Sequence, residues 1–200
     1  NNFLDAASIW ERLSKTVVNE DYYIQQQALC VYKSEHPSKL EALTNALPII
    51  KQIDKGNDTE TVGIIGGINK RLWKLTREAS FLDRALEYYG KGWNLYKDYY
   101  TGENYALCML EMSNKEIDEE KIYYKIGAKK TFQEIIYLLL TSLRDDESED
   151  LLWKYATLSN AYLACGDLVN ADKYEIKFME QHPTDWEIQT FNETKEIINK

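Results

Sequence analysis

Four alanines, Ala42, Ala85, Ala128 and Ala171, follow one another at equal intervals of 43 residues. Equal spacing at that length marks a repeated supersecondary unit. The residues that follow each alanine recur as well. Seven positions on stand Ile49, Gly92, Ile135 and Phe178, and eight positions on stand Ile50, Trp93, Ile136 and Met179. Four positions on stand Ala46, Tyr89, Phe132 and Glu175, where the glutamate alone departs from the pattern. Steps of four, seven and eight stay on one face of a helix. A small residue lets two helices approach closely, and bulky neighbours fill the space alongside. A helical hairpin cannot bury such a face by itself, so hairpins must stack.

The rest of the chain agrees with an all-α fold. Only three prolines and nine glycines interrupt its 200 residues, and no segment alternates at period two. Apolar spacing predicts helices over 3–18, 21–34, 38–54, 59–77, 81–97, 102–112, 116–144, 149–164, 168–181 and 185–198. Ser38 followed by Glu41 reads as a capping box, Asp58 or Thr59 as a cap, and Glu149 and Asp150 as first-turn acids. Pro48 should kink or split its helix, because it has no N–H to donate. Tyr155, Leu158, Tyr162, Gly166, Ala171 and Pro183 fall at the offsets of the tetratricopeptide consensus. The expected architecture is a right-handed superhelix of four to five antiparallel hairpins, a tetratricopeptide-like solenoid in one domain spanning 1–200. Residues 1–20 would cap it at the N-terminus, 21–183 would form about four hairpins, and 184–200 would cap the C-terminus. Gly67 and Gly166, with Trp93 and the four alanines, are the expected structural contacts of the repeat.

Three stretches carry a more specific likeness. Gly67-Ile68-Asn69-Lys70-Arg71, Ala85 through Leu95, and Tyr100 through Ala106 resemble the TRAF-binding, tetratricopeptide-like segment of the apoptosis signal-regulating kinases. Trp153, Ala156, the Gly166 turn, Ala171 and Trp186 continue the likeness in order. The resemblance implies a helical scaffold in the regulatory part of a signalling protein, one that engages adaptors and influences a neighbouring domain. The chain itself has no Gly-rich ATP loop, no HRD and no DFG. Its Lys-, Asn-, Ile- and Tyr-rich composition points to an AT-rich, bacterial genome.

Charge and composition narrow the function. With 24 basic against 33 acidic residues the net charge is -9, a poor match for a phosphate backbone, so no nucleic-acid partner is expected. The longest apolar run, Ile135–Leu140, is far short of the ~20 residues a membrane span needs. Three cysteines, Cys30, Cys108 and Cys165, form no CxxC pair and read as buried thiols of a reducing, cytoplasmic compartment. The chain opens on Asn1 rather than Met, which reads as a fragment or processed form. Asn57-Asp58-Thr59 and Asn192-Glu193-Thr194 match a glycosylation pattern that arises often by chance.

Candidate chemistry is sparse. His36 and His182 each precede a proline at a turn and have no partner at ligand spacing, so neither a metal nor a cofactor is expected. Gly63, Gly66 and Gly67 lack the Lys-Ser/Thr of a phosphate loop and read as points of helix contact. Lys70 and Arg71 are candidates to hold an acidic peptide or phosphate in a concave groove, against the alternative of a structural ion pair. Asn104 and Asn160 lie on first helices of hairpins, where an amide can clamp a peptide backbone, against the alternative of solvent exposure or a helix-packing bond. The run Asp145–Asp150 lacks the pattern of a calcium loop. Lys125, Lys129 and Lys130 are expected to pair with carboxylates such as Glu134. An exposed cluster among Tyr22, Tyr23, Tyr99, Tyr100, Tyr123 and Tyr124 would mark a binding surface. The leading functional expectation is a non-catalytic scaffold that binds a protein or peptide and regulates attached domains. A homo-oligomerising module that gathers effector domains is the second. An enzyme with an inter-repeat pocket is the third.

Overall fold

Side-chain oxygens at the caps fix where several of the helices begin. A computed structural model describes residues 2–17, 20–144 and 149–200 and shows ten helices among them. They are α1 (Phe3–Thr16), α2 (Asp21–Lys33), α3 (Lys39–Lys51), α4 (Thr59–Thr76), α5 (Ala79–Tyr96), α6 (Tyr99–Ser113), α7 (Asp118–Arg144), α8 (Leu151–Cys165), α9 (Leu168–Met179) and α10 (Asp185–Ile198). No strand occurs among the described residues, and none of their helices is long and apolar enough to cross a membrane.

Asp58 opens α4 by accepting the Thr61 N–H at 2.7 Å, and Asp98 opens α6 by accepting that of Thr101 at 2.8 Å. The Asp98 cap starts α6 three residues before the expected position. The Ser38–Glu41 pair works differently from a reciprocal box. Ser38 accepts the Glu41 N–H, and its hydroxyl then donates to the Glu41 carboxylate at 2.7 Å. The reciprocal box forms instead at Thr184, whose N–H and hydroxyl both donate to Glu187. Asp150 is the N-cap residue of α8, in a left-handed conformation (φ 61°), and its carboxylate makes no cap bond. It takes the Tyr99 hydroxyl instead. Pro48 does not split α3, which continues to Lys51; the proline sits in the last turn, where few further bonds depend on it.

The chain divides into two compact units, Asn1–Tyr96 and Lys97–Lys200. In the first, each helix from α1 to α4 packs on its successor, and α2 also meets α4. Its core is aliphatic: Ala28, Leu43, Ile50, Ile65, Ile68 and Leu72 are among its fully or nearly fully buried members. Each fully buried Ile or Leu contributes about 1.5–3 kcal/mol relative to exposure. The middle of α4 is buried on every side from Thr61 to Asn69. Gly66 provides the close approach, since a Cβ there would stand 3.0 Å from the Tyr89 ring. Gly67, beside it, is buried too.

In the second unit α6 pairs with α7, α7 with α8, and α8 with α9. Its core is aromatic. Phe178 of α9 meets Phe191 of α10 at 4.8 Å between ring centroids, with Ala156 alongside. Tyr174 stacks on Tyr162 at 5.6 Å. The helix α10 packs against both α8 and α6. Gly166 closes α8 with φ 85°, a conformation that suits glycine.

The four repeat alanines are all buried, and the rows that follow them diverge most at the last repeat. Ala46, Tyr89 and Phe132 are buried, whereas Glu175 pairs with Lys195 at 2.7 Å. Tyr174, one position earlier, supplies the aromatic contact to α8. Likewise Ile50 and Trp93 are 0% and 3% exposed, but Met179 is 48% exposed.

Candidate functional site

Lys70 and Arg71 stand together on α4. The Arg71 guanidinium donates to the Gly67 carbonyl at 3.1 Å and lies over the Tyr32 ring at 5.0 Å. Those contacts hold it along its own unit, the arrangement of a structural cation. Lys70 is half-buried. One residue before it, Asn69 is fully buried; its amide nitrogen donates to the Ile65 carbonyl, while its side-chain oxygen has no hydrogen-bond partner.

Asn104 and Asn160 both belong to the second unit. Asn104 turns its amide back to the Tyr100 carbonyl at 2.9 Å. Asn160 does more. Its Nδ2 donates to Glu103 at 3.0 Å, and the other oxygen of the same carboxylate accepts from the Thr157 hydroxyl at 3.0 Å. A turn of α8 therefore presents Thr157 and Asn160 to one residue of α6. Asn160 is 2% exposed, and its Oδ1 has no hydrogen-bond partner. A buried acceptor left unmatched costs about 1–3 kcal/mol. Glu103 and Thr157 are the site residues that local pattern misses, because Glu103 and Asn160 lie 57 positions apart. Lys154 escapes it in the same way: it is buried, and its ammonium donates to Ser142.

Other expectations change. Glu134 is taken by Lys97 at 2.8 Å, so it does not pair with Lys125, Lys129 or Lys130. Those three lysines are exposed and make no ion pair among the described residues. Of the acidic run 145–150, residues 145–148 lie outside the described residues. His36 and His182 are exposed. No group of three or more His, Cys, Asp or Glu among the described residues could hold a metal ion. Cys30 and Cys108 are buried and Cys165 half-buried, and none is in a disulfide. Burial pushes the Cys165 thiol up, with Lys129 opposing. Of the tyrosines, Tyr22, Tyr100 and Tyr123 are exposed, and Tyr22 and Tyr23 group with Trp10 at ring distances of 5.8 and 5.9 Å.

The family described as Tetratricopeptide Repeats-Sensor matches residues 2–109, more than half of the chain. The chain belongs to this family. As a Tetratricopeptide Repeats-Sensor protein it has the helical-repeat architecture that its ten described helices show. The match spans α1 to α5 and most of α6, including Lys70, Arg71, Glu103 and Asn104; Thr157 and Asn160 lie beyond it. No curated protein and no solved structure matches.

Proposed function

We propose that this chain is the partner-binding, regulatory module of a larger signalling protein, and that it grips a peptide segment on the face formed by α6 and α8. The observation that carries this is the Asn160 Oδ1, a buried acceptor without a partner beside the Glu103 carboxylate. A backbone N–H of a bound segment is the group that satisfies such an oxygen, and doing so recovers the cost of leaving it unmatched. The helix α10 packs on the same two helices, so it is the element that shifts to admit the segment. The family name, with its word Sensor, supports a receiving role. The resemblance to the TRAF-binding segment of the apoptosis signal-regulating kinases supports an adaptor-type partner. Three cysteines, none in a disulfide, support a cytoplasmic setting.

The test is selection of peptides from a random display library on the whole chain, followed by titration of the winners. Asn160→Ala should weaken them about tenfold or more, the worth of one well-placed hydrogen bond to a buried group. Equal affinity for wild type and Asn160→Ala would discard the site.

A further inference from the structure

Two surfaces of the second unit are left uncovered, and they are opposite in charge. The first is the outer face of α9. Positions four and eight after the repeat alanine are buried or half-buried on the three earlier second helices, but here they are a half-buried Glu175 and an exposed Met179. Around them Val169 and Ile176 are 80% and 60% exposed. Asp172, Glu175, Ile176, Met179 and Glu180 line a shallow, open depression on this face. The cations of α9 lie to the other side: Lys173 and Lys177 sit over the Tyr174 ring, and Lys177 also over Tyr155. The face therefore has an apolar centre and an acidic rim. Glu175 already holds Lys195, whereas Asp172 and Glu180 make no ion pair among the described residues.

The second surface is residues 121–130 of α7, which follow the Asp118, Glu119 and Glu120 of its first turn. Ile122 and Ile126, one turn apart, are 57% and 51% exposed, with Tyr123 beside them. Residues 121–130 hold Lys121, Lys125, Lys129 and Lys130 and no carboxylate. All four lysines are exposed and without an ion pair among the described residues. An apolar helical stripe flanked by cations is the complement of the α9 face in shape and in sign.

We propose that residues 121–130 of α7 of one copy of this chain dock on the outer face of α9 of a second copy. Ile122 and Ile126 would cover Ile176 and Met179, and the lysines would meet Asp172 and Glu180 at the rim. The contact joins two different surfaces. Made reciprocally, it closes a twofold pair; made once, it leaves both ends open and adds further copies. The area is that of one helix on another, so the association is weak and salt-sensitive.

The test is light scattering and sedimentation of the whole chain over a dilution series, at low and high salt, with two charge-reversed variants. Lys125→Glu/Lys129→Glu makes both surfaces acidic, and Asp172→Lys/Glu180→Lys makes both basic. Unchanged circular dichroism and melting temperature show that these exposed substitutions leave the fold intact. Wild type should grow with concentration, and each variant alone should associate about tenfold more weakly or not at all. An equimolar mixture of the two should recover association, because each then offers the opposite sign to the other. A wild type that is monomeric throughout overturns the proposal. So do variants that associate as wild type does, or a mixture that stays as dissociated as its components.

Discussion

The two units use similar pairs of helices but spend their polar residues differently. In the first, α4 is buried from Thr61 to Asn69 amid isoleucines and leucines. Its long-range polar tie, Gln25 to Asp58 and Thr61, is fully engaged at a helix start. In the second, the equivalent first helix α8 buries Lys154, Thr157, Ser159 and Asn160 in one stretch. Ser159 donates to the Ala171 carbonyl and Lys154 to Ser142, which leaves Asn160 with an oxygen to spare. A hydrophobic core needs only area, whereas a buried polar run is tolerated only if every member finds a partner. Asn69 on α4 also keeps a buried oxygen without a hydrogen-bond partner, but its amide turns back to Ile65 on its own helix, whereas that of Asn160 reaches across to Glu103 on α6, and this tie between two helices is what distinguishes α8. The units differ again at their second helices, since α3 buries Ile50 where α9 leaves Met179 exposed.

That contrast can be broken most forcefully in the aromatic core. Phe178→Ala should cost about 3–5 kcal/mol in denaturant unfolding, since the ring is fully buried against Phe191. A loss below about 1 kcal/mol would mean that α10 is not anchored through that contact. The repeat positions offer a sharper pair. Ile50→Ala should cost about 2–5 kcal/mol, and Met179→Ala, at the same place in its repeat, no more than about 0.5 kcal/mol. Equal costs would erase the distinction between α3 and α9.

Smaller effects separate the units by pH. Burial, and then the hydrogen bond to Asp150, raise the Tyr99 phenol well above its ordinary value. Tyr88 is raised in the first unit by burial and by its 2.6 Å bond to Asp54. The folded chain therefore holds these protons more tightly than the unfolded one. Their contribution is complete below the unfolded value of about 10 and is lost as pH rises above it. Tyr99→Phe should cost about 1 kcal/mol at neutral pH and flatten part of that alkaline decline, leaving the part due to Tyr88. Thermal melts across alkaline pH read this, and an unchanged slope would contradict it. The least change is expected at Glu187, whose carboxyl is held below its ordinary value by the Thr184 hydroxyl and N–H. Its cap is intact above the unfolded value and weakens as pH falls through the folded one. An NMR titration of Glu187 in wild type and Thr184→Ala should show the midpoint return toward the ordinary value in the variant.

Much of this fold is legible in the sequence because its causes are local. Asp58 and Gly166 act within a few residues of their positions, and apolar spacing places all ten helices. The 43-residue alanine period continues unchanged from Ala85 to Ala128, across the division between the units, so the period carries no sign of that division. The candidate site was less legible because its partners are distant. Asn160 finds Glu103 at 57 positions' separation, and Asp150 is drawn from its helix to Tyr99 at 51. Charge pairing misled for the same reason. Glu134 lies four residues from Lys130 in sequence, yet Lys97 takes it. The mismatch at Glu175 was visible, but its reason lies in Lys195 on another helix.

The most direct trial of the receiving role is amide hydrogen exchange on the whole chain, alone and with a selected peptide bound. Added protection concentrated in α6 and α8, with α10 exchanging faster, is the result this account predicts. Protection confined to residues 2–96, with α6, α8 and α10 unchanged, would contradict it.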